Sequence, residues 1–366
     1  MTAKTPGVSE VFRKAFTFAV GIGGVVVFWA LGMPLPFLLG PLFGCLLAAL
    51  MRLPVTKAGK IGVIMRTVLG VAIGTSITPE VVGRMPQMAA SLSLVPVGVM
   101  LTALIGFPFF RKVYHYDVAT SWYAAMPGGL QEMVLFGKEA GANVRALTLI
   151  HATRLMIIVL IAPVVLTQYF DAELDNPIGA PAATLPLHEM AIMAVAAIAG
   201  WKGAERIGLF GASIIGPMLL AAALSLTGVI HHRPPAEAIL AAQFFIGIGL
   251  GAGYVGVTLK EIRRDVVAGV IFVVIVACLA AILAEVVIFF ELVPPVDGFL
   301  AFAPAGQAEM AVLAIVVGAD LGYVVLHHVA RVFLIITCAP IASRLAGVKR
   351  GASATEKPKD QSAGKT

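Results

Sequence analysis

Charge is what this chain has little of. Of its 366 residues only 13% are Asp, Glu, Lys or Arg, against roughly 25% in a soluble domain. Hydrophobic residues make up 59%, and mean hydropathy is +0.96. So few charges cannot cover a water-facing surface, so most of the surface is expected to face lipid. Cysteine is scarce as well. Cys45, Cys278 and Cys338 all lie in apolar runs, which excludes a disulfide framework and a thiolate metal site. There is no basic stripe with interleaved aromatics, which removes nucleic acid as a partner. The net charge of +6 sits mainly in short loops and the last twenty residues, and so reports on membrane topology. No soluble domain for a cofactor interrupts the apolar runs, and no cofactor is expected.

What the chain does have is apolar segments of spanning length, roughly 17–25 residues each. They fall near 15–31, 35–51, 61–77, 88–110 and 143–168. A second set falls near 186–203, 207–228, 238–256, 266–291 and 320–344. The first run follows Lys4, Arg13 and Lys14. It is long for a signal peptide and has no A-x-A end, so it reads as a retained span. Gly 38 and Met 14 suit closely packed membrane helices.

One stretch is used twice. Met126-Pro127-Gly128-Gly129-Leu130-Gln131-Glu132-Met133 returns as Ala303-Pro304-Ala305-Gly306-Gln307-Ala308-Glu309-Met310. His151 and Arg154 follow the first copy at the spacing at which His328 and Arg331 follow the second, and each unit closes on Ala-Pro at Pro163 and Pro340. Gly32, Gly40 and Pro41 are echoed by Gly208, Gly216 and Pro217, and Gly70 and Gly74 by Gly247 and Gly251. The chain therefore reads as two homologous membrane halves, 1–170 and 187–346, with a linker at 171–186 and a polar, disordered cytoplasmic tail at 347–366. The expected fold class is an all-α polytopic membrane protein with two inverted repeats, each of about five transmembrane helices plus one re-entrant hairpin.

The inversion comes from loop charge. Lys and Arg mark the cytoplasmic side. Arg52, Lys57 and Lys60, then Arg111 and Lys112, then Lys260, Arg263 and Arg264, and finally Lys349 and Arg350 should be inside. The linker acids Asp171, Glu173 and Asp175, with Glu291 and Asp297, should be outside. Arg84 and Arg233 are single exceptions. From Arg111 to the linker the chain must cross an odd number of times, and 143–168 is one crossing. The segment 118–140 must then enter and leave on one face, as a hairpin with arms about half a bilayer long. Its mate, 298–317, enters from the other face. The Pro/Gly tips would meet near the midplane, the pattern of inverted-repeat secondary transporters.

Each polar group has a plain reading and a functional one. Pro127, Gly128 and Gly129, with Pro304, Ala305 and Gly306, either kink a spanning helix or present free helix N–H groups to an anion. Glu132 and Glu309 either cap their own helices or bind H⁺ or Na⁺. Arg154 and Arg331 either form buried ion pairs with those carboxylates or grip a substrate carboxylate. His151 and His328 are packing residues or a proton relay. Arg66, mid-span, matches Gln243. It marks where the symmetry breaks, or it answers a carboxylate such as Glu285. Asn143 and Asp320 should cap the helices that begin there. Gly70-x-x-x-Gly74 and Gly247-x-x-x-Gly251 read as packing faces.

These duplicated PGG-x-x-EM and P-x-G-x-x-EM segments, each with its H-x-x-R, resemble the AbrB-type membrane proteins of Gram-negative bacteria. The likeness spans nearly the whole chain. It implies an inner-membrane, multi-pass protein with cytoplasmic termini, within a wider group of inverted-repeat cation and anion transporters. The family also carries an ammonia monooxygenase label and an association with regulation of gene expression. Three functions follow: a secondary transporter of a small, anionic solute; a membrane protein acting indirectly on gene expression; and a metal-dependent monooxygenase. The last lacks a Glu-x-x-His pair and a dense His cluster, so no enzyme and no metal site is expected. The partners are a small molecule or ion and the lipid bilayer, and a homo-oligomer is left open.

Overall fold

The computed structural model of the protein describes residues 9–209 and 211–348. Most of the expected tail, and with it Lys349 and Arg350, lies outside the described residues. Among the described residues all regular structure is helical. The helices of eight residues or more are α1 (Glu10–Ala30), α2 (Pro36–Leu50), α3 (Gly59–Gly74), α4 (Leu94–Pro108), α5 (Val118–Ala125), α6 (Leu130–Glu139) and α7 (Val144–Gln168). They continue as α8 (Leu187–Arg206), α9 (Ala212–Leu226), α10 (Ala236–Gly251), α11 (Val267–Phe289), α12 (Pro295–Phe302), α13 (Gln307–Val317) and α14 (Leu321–Leu345).

Helices stand at all ten expected spans, but among the described residues six are long and apolar enough to cross a membrane. Three of the others are short: α2 and α9 have 15 residues and α3 has 16. At 1.5 Å per residue they reach about 23 Å, less than the ~30 Å hydrocarbon core. Local geometry sets where two of them begin. The left-handed Leu35 and Gly211 stand at the N-caps of α2 and α9.

The second seven helices repeat the first seven in order; three pairs have matching bounds and a fourth a matching start. Residues are shifted by the same step in α3 and α10, α5 and α12, α6 and α13 at their starts, and α7 and α14 at both ends. Capping chemistry is repeated with them. Asn143 accepts from the Ala146 N–H at 3.1 Å, and Asp320 from the Tyr323 N–H at 3.1 Å, as the sequence led us to expect. The exceptional Arg84 of the acidic side is paired with Asp320 at 2.8 Å.

Glycines decide how the helices pack. A Cβ on Gly24 of α1 would lie 2.1 Å from the Gly40 carbonyl oxygen of α2. Gly200 and Gly216 make the equivalent contact between α8 and α9. The next contacts cross between halves. Gly70 and Gly74 of α3 press on the Ile214 and Met218 carbonyls of α9, at 2.5 and 2.3 Å from a built Cβ. Gly247 and Gly251 of α10 press on the Leu38 and Leu42 carbonyls of α2, at 2.3 and 2.4 Å. Each half thus lends its third helix to the other. The result is two groups, α1–α3 with α8–α10, and α4–α7 with α11–α14, touching where α3 meets α13 and α10 meets α7.

Candidate functional site

The two breaks belong to the second group. Met126 and Ala303 are extended, with ψ 131° and 132°, as a residue before proline prefers. They end α5 and α12 after eight residues each. Gly129 and Gly306 are the N-caps of α6 and α13. The arms of 8, 10, 8 and 11 residues are each about 12–17 Å long, half a bilayer.

Gly129 and Gly306 have negative φ, −66° and −72°, so their value is not conformational freedom. A Cβ at either would sit 2.0 Å from Oε2 of the Glu three residues on. Each carboxylate therefore folds back over its own glycine onto the helix start, where positive dipole and free N–H groups favour negative charge. The carboxylates also look outward. Arg66 lies within electrostatic reach of both Glu132 and Glu309. Glu132 Oε1 is 3.5 Å from a Cβ built on Gly211, at the start of α9. Arg66 also donates from Nε to the Gly62 carbonyl at 3.3 Å. Glu285, the other partner considered for Arg66, is exposed on α11.

Arg154 and Arg331 hold the breaks, but not as ion pairs. Arg154 donates from Nη1 to the Met126 carbonyl at 3.2 Å and from Nη2 to the Gly128 carbonyl. Arg331 donates from Nη1 to the Ala303 carbonyl at 2.8 Å and from Nη2 to the Ala305 carbonyl at 2.6 Å. Neither makes a salt bridge with Glu132 or Glu309 among the described residues. The reason is geometric. A chain break frees carbonyls at the end of α5 and of α12, and a planar fork satisfies two at once. The histidines finish the job. His151 Nε2 donates to the Tyr123 carbonyl at 3.0 Å and His328 Nε2 to the Leu300 carbonyl at 2.9 Å. The halves then differ: His328 Nδ1 accepts from Arg331 Nη2 at 2.8 Å, whereas His151 Nδ1 is buried without a partner.

One cavity of about 380 Å³ lies between the two helix groups, lined by both glycine caps and both carboxylates. Arg66 of α3, Gly211 of α9 and Gly249 of α10 line one wall; Gly129, Glu132, Gly306 and Glu309 line the other. Exposed Lys57 stands at its rim, near Arg145, which pairs with Glu261 at 2.8 Å. On the far side of the breaks Pro127, Pro304 and Arg331 share a crevice of about 40 Å³, so the two tips are neighbours. Of the residues singled out from sequence, Gly128, His151, Arg154, Gln243, Ala305 and His328 line neither space, and Gln243 is 1% exposed. Sequence reasoning missed Lys57 as a rim group and Gln307, whose Nε2 lies 3.3 Å from Met218 Sδ of α9. Only the fold brings α9 there. Among the described residues no three His, Cys, Asp or Glu side chains converge as metal ligands.

A helical chain with six candidate spans among the described residues, and paired helix breaks at one cavity, is a polytopic membrane protein. The family described as "Transition state regulatory protein AbrB" matches residues 6–347, and the chain belongs to that family. It is similar to the uncharacterized protein YhjN of Bacillus subtilis (strain 168), 28% identical over 297 residues, 76% of each chain. It is also similar to a protein of Escherichia coli (strain K12) provisionally named as the regulator AbrB. That pair is 21% identical over 322 residues, 87% of this chain and 91% of the relative.

Proposed function

We propose that the protein is a secondary transporter of a small anionic solute, working by alternating access in the bacterial inner membrane. The observation that carries this reading is the cavity between the two helix groups, which reaches both helix breaks at once. Broken helices around a polar pocket are how membrane transporters build a site from backbone without exposing it to lipid. The basic loops set the orientation: Lys57, Lys60, Arg111, Lys260 and Arg264 lie on the cytoplasmic side, and the cavity opens there, beside Lys57. Lys57 and Arg145 draw an anion to the rim. Arg66 receives it, in competition with Glu132 and Glu309. Arg154 and Arg331 keep the breaks in shape and stay bound to their carbonyls throughout. The regulatory name carried by the Escherichia coli relative fits this reading when the solute moved is itself a signal.

The experiment is a thermal-shift panel on purified protein with small mono- and dicarboxylates, phosphate, sulfate and amino acids. At least one anion should stabilise the protein, and Arg66→Gln should abolish that shift. Stabilisation that survives Arg66→Gln would place the solute elsewhere, and a panel in which only cations act would overturn the anionic assignment.

A further inference from the structure

Arg66 and Gln243 occupy the same position of two helices with matching bounds, α3 and α10. Their surroundings differ. Arg66 lines the cavity and faces Glu132 and Glu309. Gln243 is buried, and neither its Nε2 nor its Oε1 has a hydrogen-bond partner. A buried amide with both groups unmet is costly. A second arrangement of the helices in which it has partners would remove that cost. The matching of α3 with α10, and of the starts of the two breaks, allows one in which the halves trade places.

We propose that Glu132 and Glu309 exchange Arg66 for Gln243 when the cavity closes beside Lys57 and opens on the opposite face. The inference rests on the transport reading above and adds the coupling ion to it. In the present arrangement the charged groups around the carboxylates are Arg66 from α3 and Arg154 from α7, with Lys57 at the rim. Gly211 of α9 approaches Glu132 without a charge. In the other arrangement α10 presents a neutral amide where α3 now presents a guanidinium. A guanidinium favours the ionised form of a nearby carboxylate, whereas an amide can hydrogen-bond the protonated form. The carboxylates therefore take a proton from water on the Gln243 side and return it to water on the Arg66 side. The solute moves with that proton.

The test uses full-length protein with Cys45, Cys278 and Cys338 replaced by Ser. One reporter is Gly249→Cys, which lines the cavity and where a Cβ meets nothing within 4 Å. The other is its counterpart in the first half, Ala72→Cys, at a position now 2% exposed. A membrane-impermeant maleimide is applied to inside-out and right-side-out vesicles. In the parent, the α10 thiol of Gly249→Cys should react from the cytoplasmic face faster than the α3 thiol of Ala72→Cys reacts from either. In Arg66→Gln/Gln243→Arg the carboxylates draw the guanidinium now carried by α10 instead. The ratio should shift by about tenfold or more toward the α3 thiol, from the opposite face, as expected for moving one guanidinium charge from one helix to the other. An unchanged ratio with the α3 thiol still reacting from the opposite face would overturn the partner exchange and leave alternating access standing. An α3 thiol inert in every background would overturn both. Should the double variant not fold, Arg66→Gln alone decides: the ratio moves toward one, or the exchange is wrong.

Discussion

Removing the Arg331 fork is the perturbation that most directly tests how the breaks are held. Arg331 satisfies the Ala303 and Ala305 carbonyls at 2.8 and 2.6 Å. A hydrogen bond to a charged group contributes about 1.5–3 kcal/mol, though polar couplings between membrane helices average about 0.6 kcal/mol. Two bonds at the lower end of the first range give about 3 kcal/mol for Arg331→Met. Arg331→Lys keeps the charge but has no planar fork, so about half of that is lost. For a chain of this length about 2 °C accompanies each kcal/mol, so the expected drops are about 6 °C for Met and about 3 °C for Lys. Thermal unfolding in nanodiscs, followed by tryptophan fluorescence, reads them. The same experiment separates a carbonyl clamp from an ion pair. In a double-mutant cycle of Arg331→Met with Glu309→Gln, the clamp predicts a coupling below about 0.5 kcal/mol. A coupling above about 1.5 kcal/mol, or a Lys variant as stable as the parent, would refute the reasoning.

Two further outcomes are expected. Gly70→Ala and Gly247→Ala add a methyl 2.5 and 2.3 Å from the Ile214 and Leu38 carbonyls. Each should destabilise by about 1–3 kcal/mol, while Gly249→Ala, in open space, should be neutral or stabilising by up to about 1 kcal/mol; urea or thermal midpoints distinguish them. Loss of the caps in Asn143→Ala and Asp320→Ala should cost about 1 kcal/mol each. Asp320→Ala should cost slightly more, because Asp320 also holds Arg84, and equal midpoints for the two variants would count against that pair.

The positions of the elements were legible in the sequence because the signals are local. Apolar runs mark the spans, and at Pro127 and Pro304 a proline with its extended predecessor ends α5 and α12. Asn143 and Asp320 cap the helices they precede by contacts three residues away. The repeat itself needs only residue identities.

Other features depend on groups distant in the chain, and no pattern within either half announces them. Sequence offers Arg154 and Arg331 either an ion pair with Glu132 and Glu309 or a substrate carboxylate. The fold instead lays α7 and α14 beside the ends of α5 and α12, where freed carbonyls outcompete carboxylates already turned onto their own helix starts. The exchange of α3 and α10 between halves is likewise a tertiary decision. Small residues permit close approach to any helix, and only packing chose α9 and α2. The sequence by itself therefore determined a helical membrane chain, its two breaks and the polar groups worth watching, because propensity, hydropathy and capping act over a few residues. Tertiary structure alone decided which polar group answers which, because hydrogen bonds in an apolar interior are settled by what lies within about 3 Å, whatever the distance along the chain.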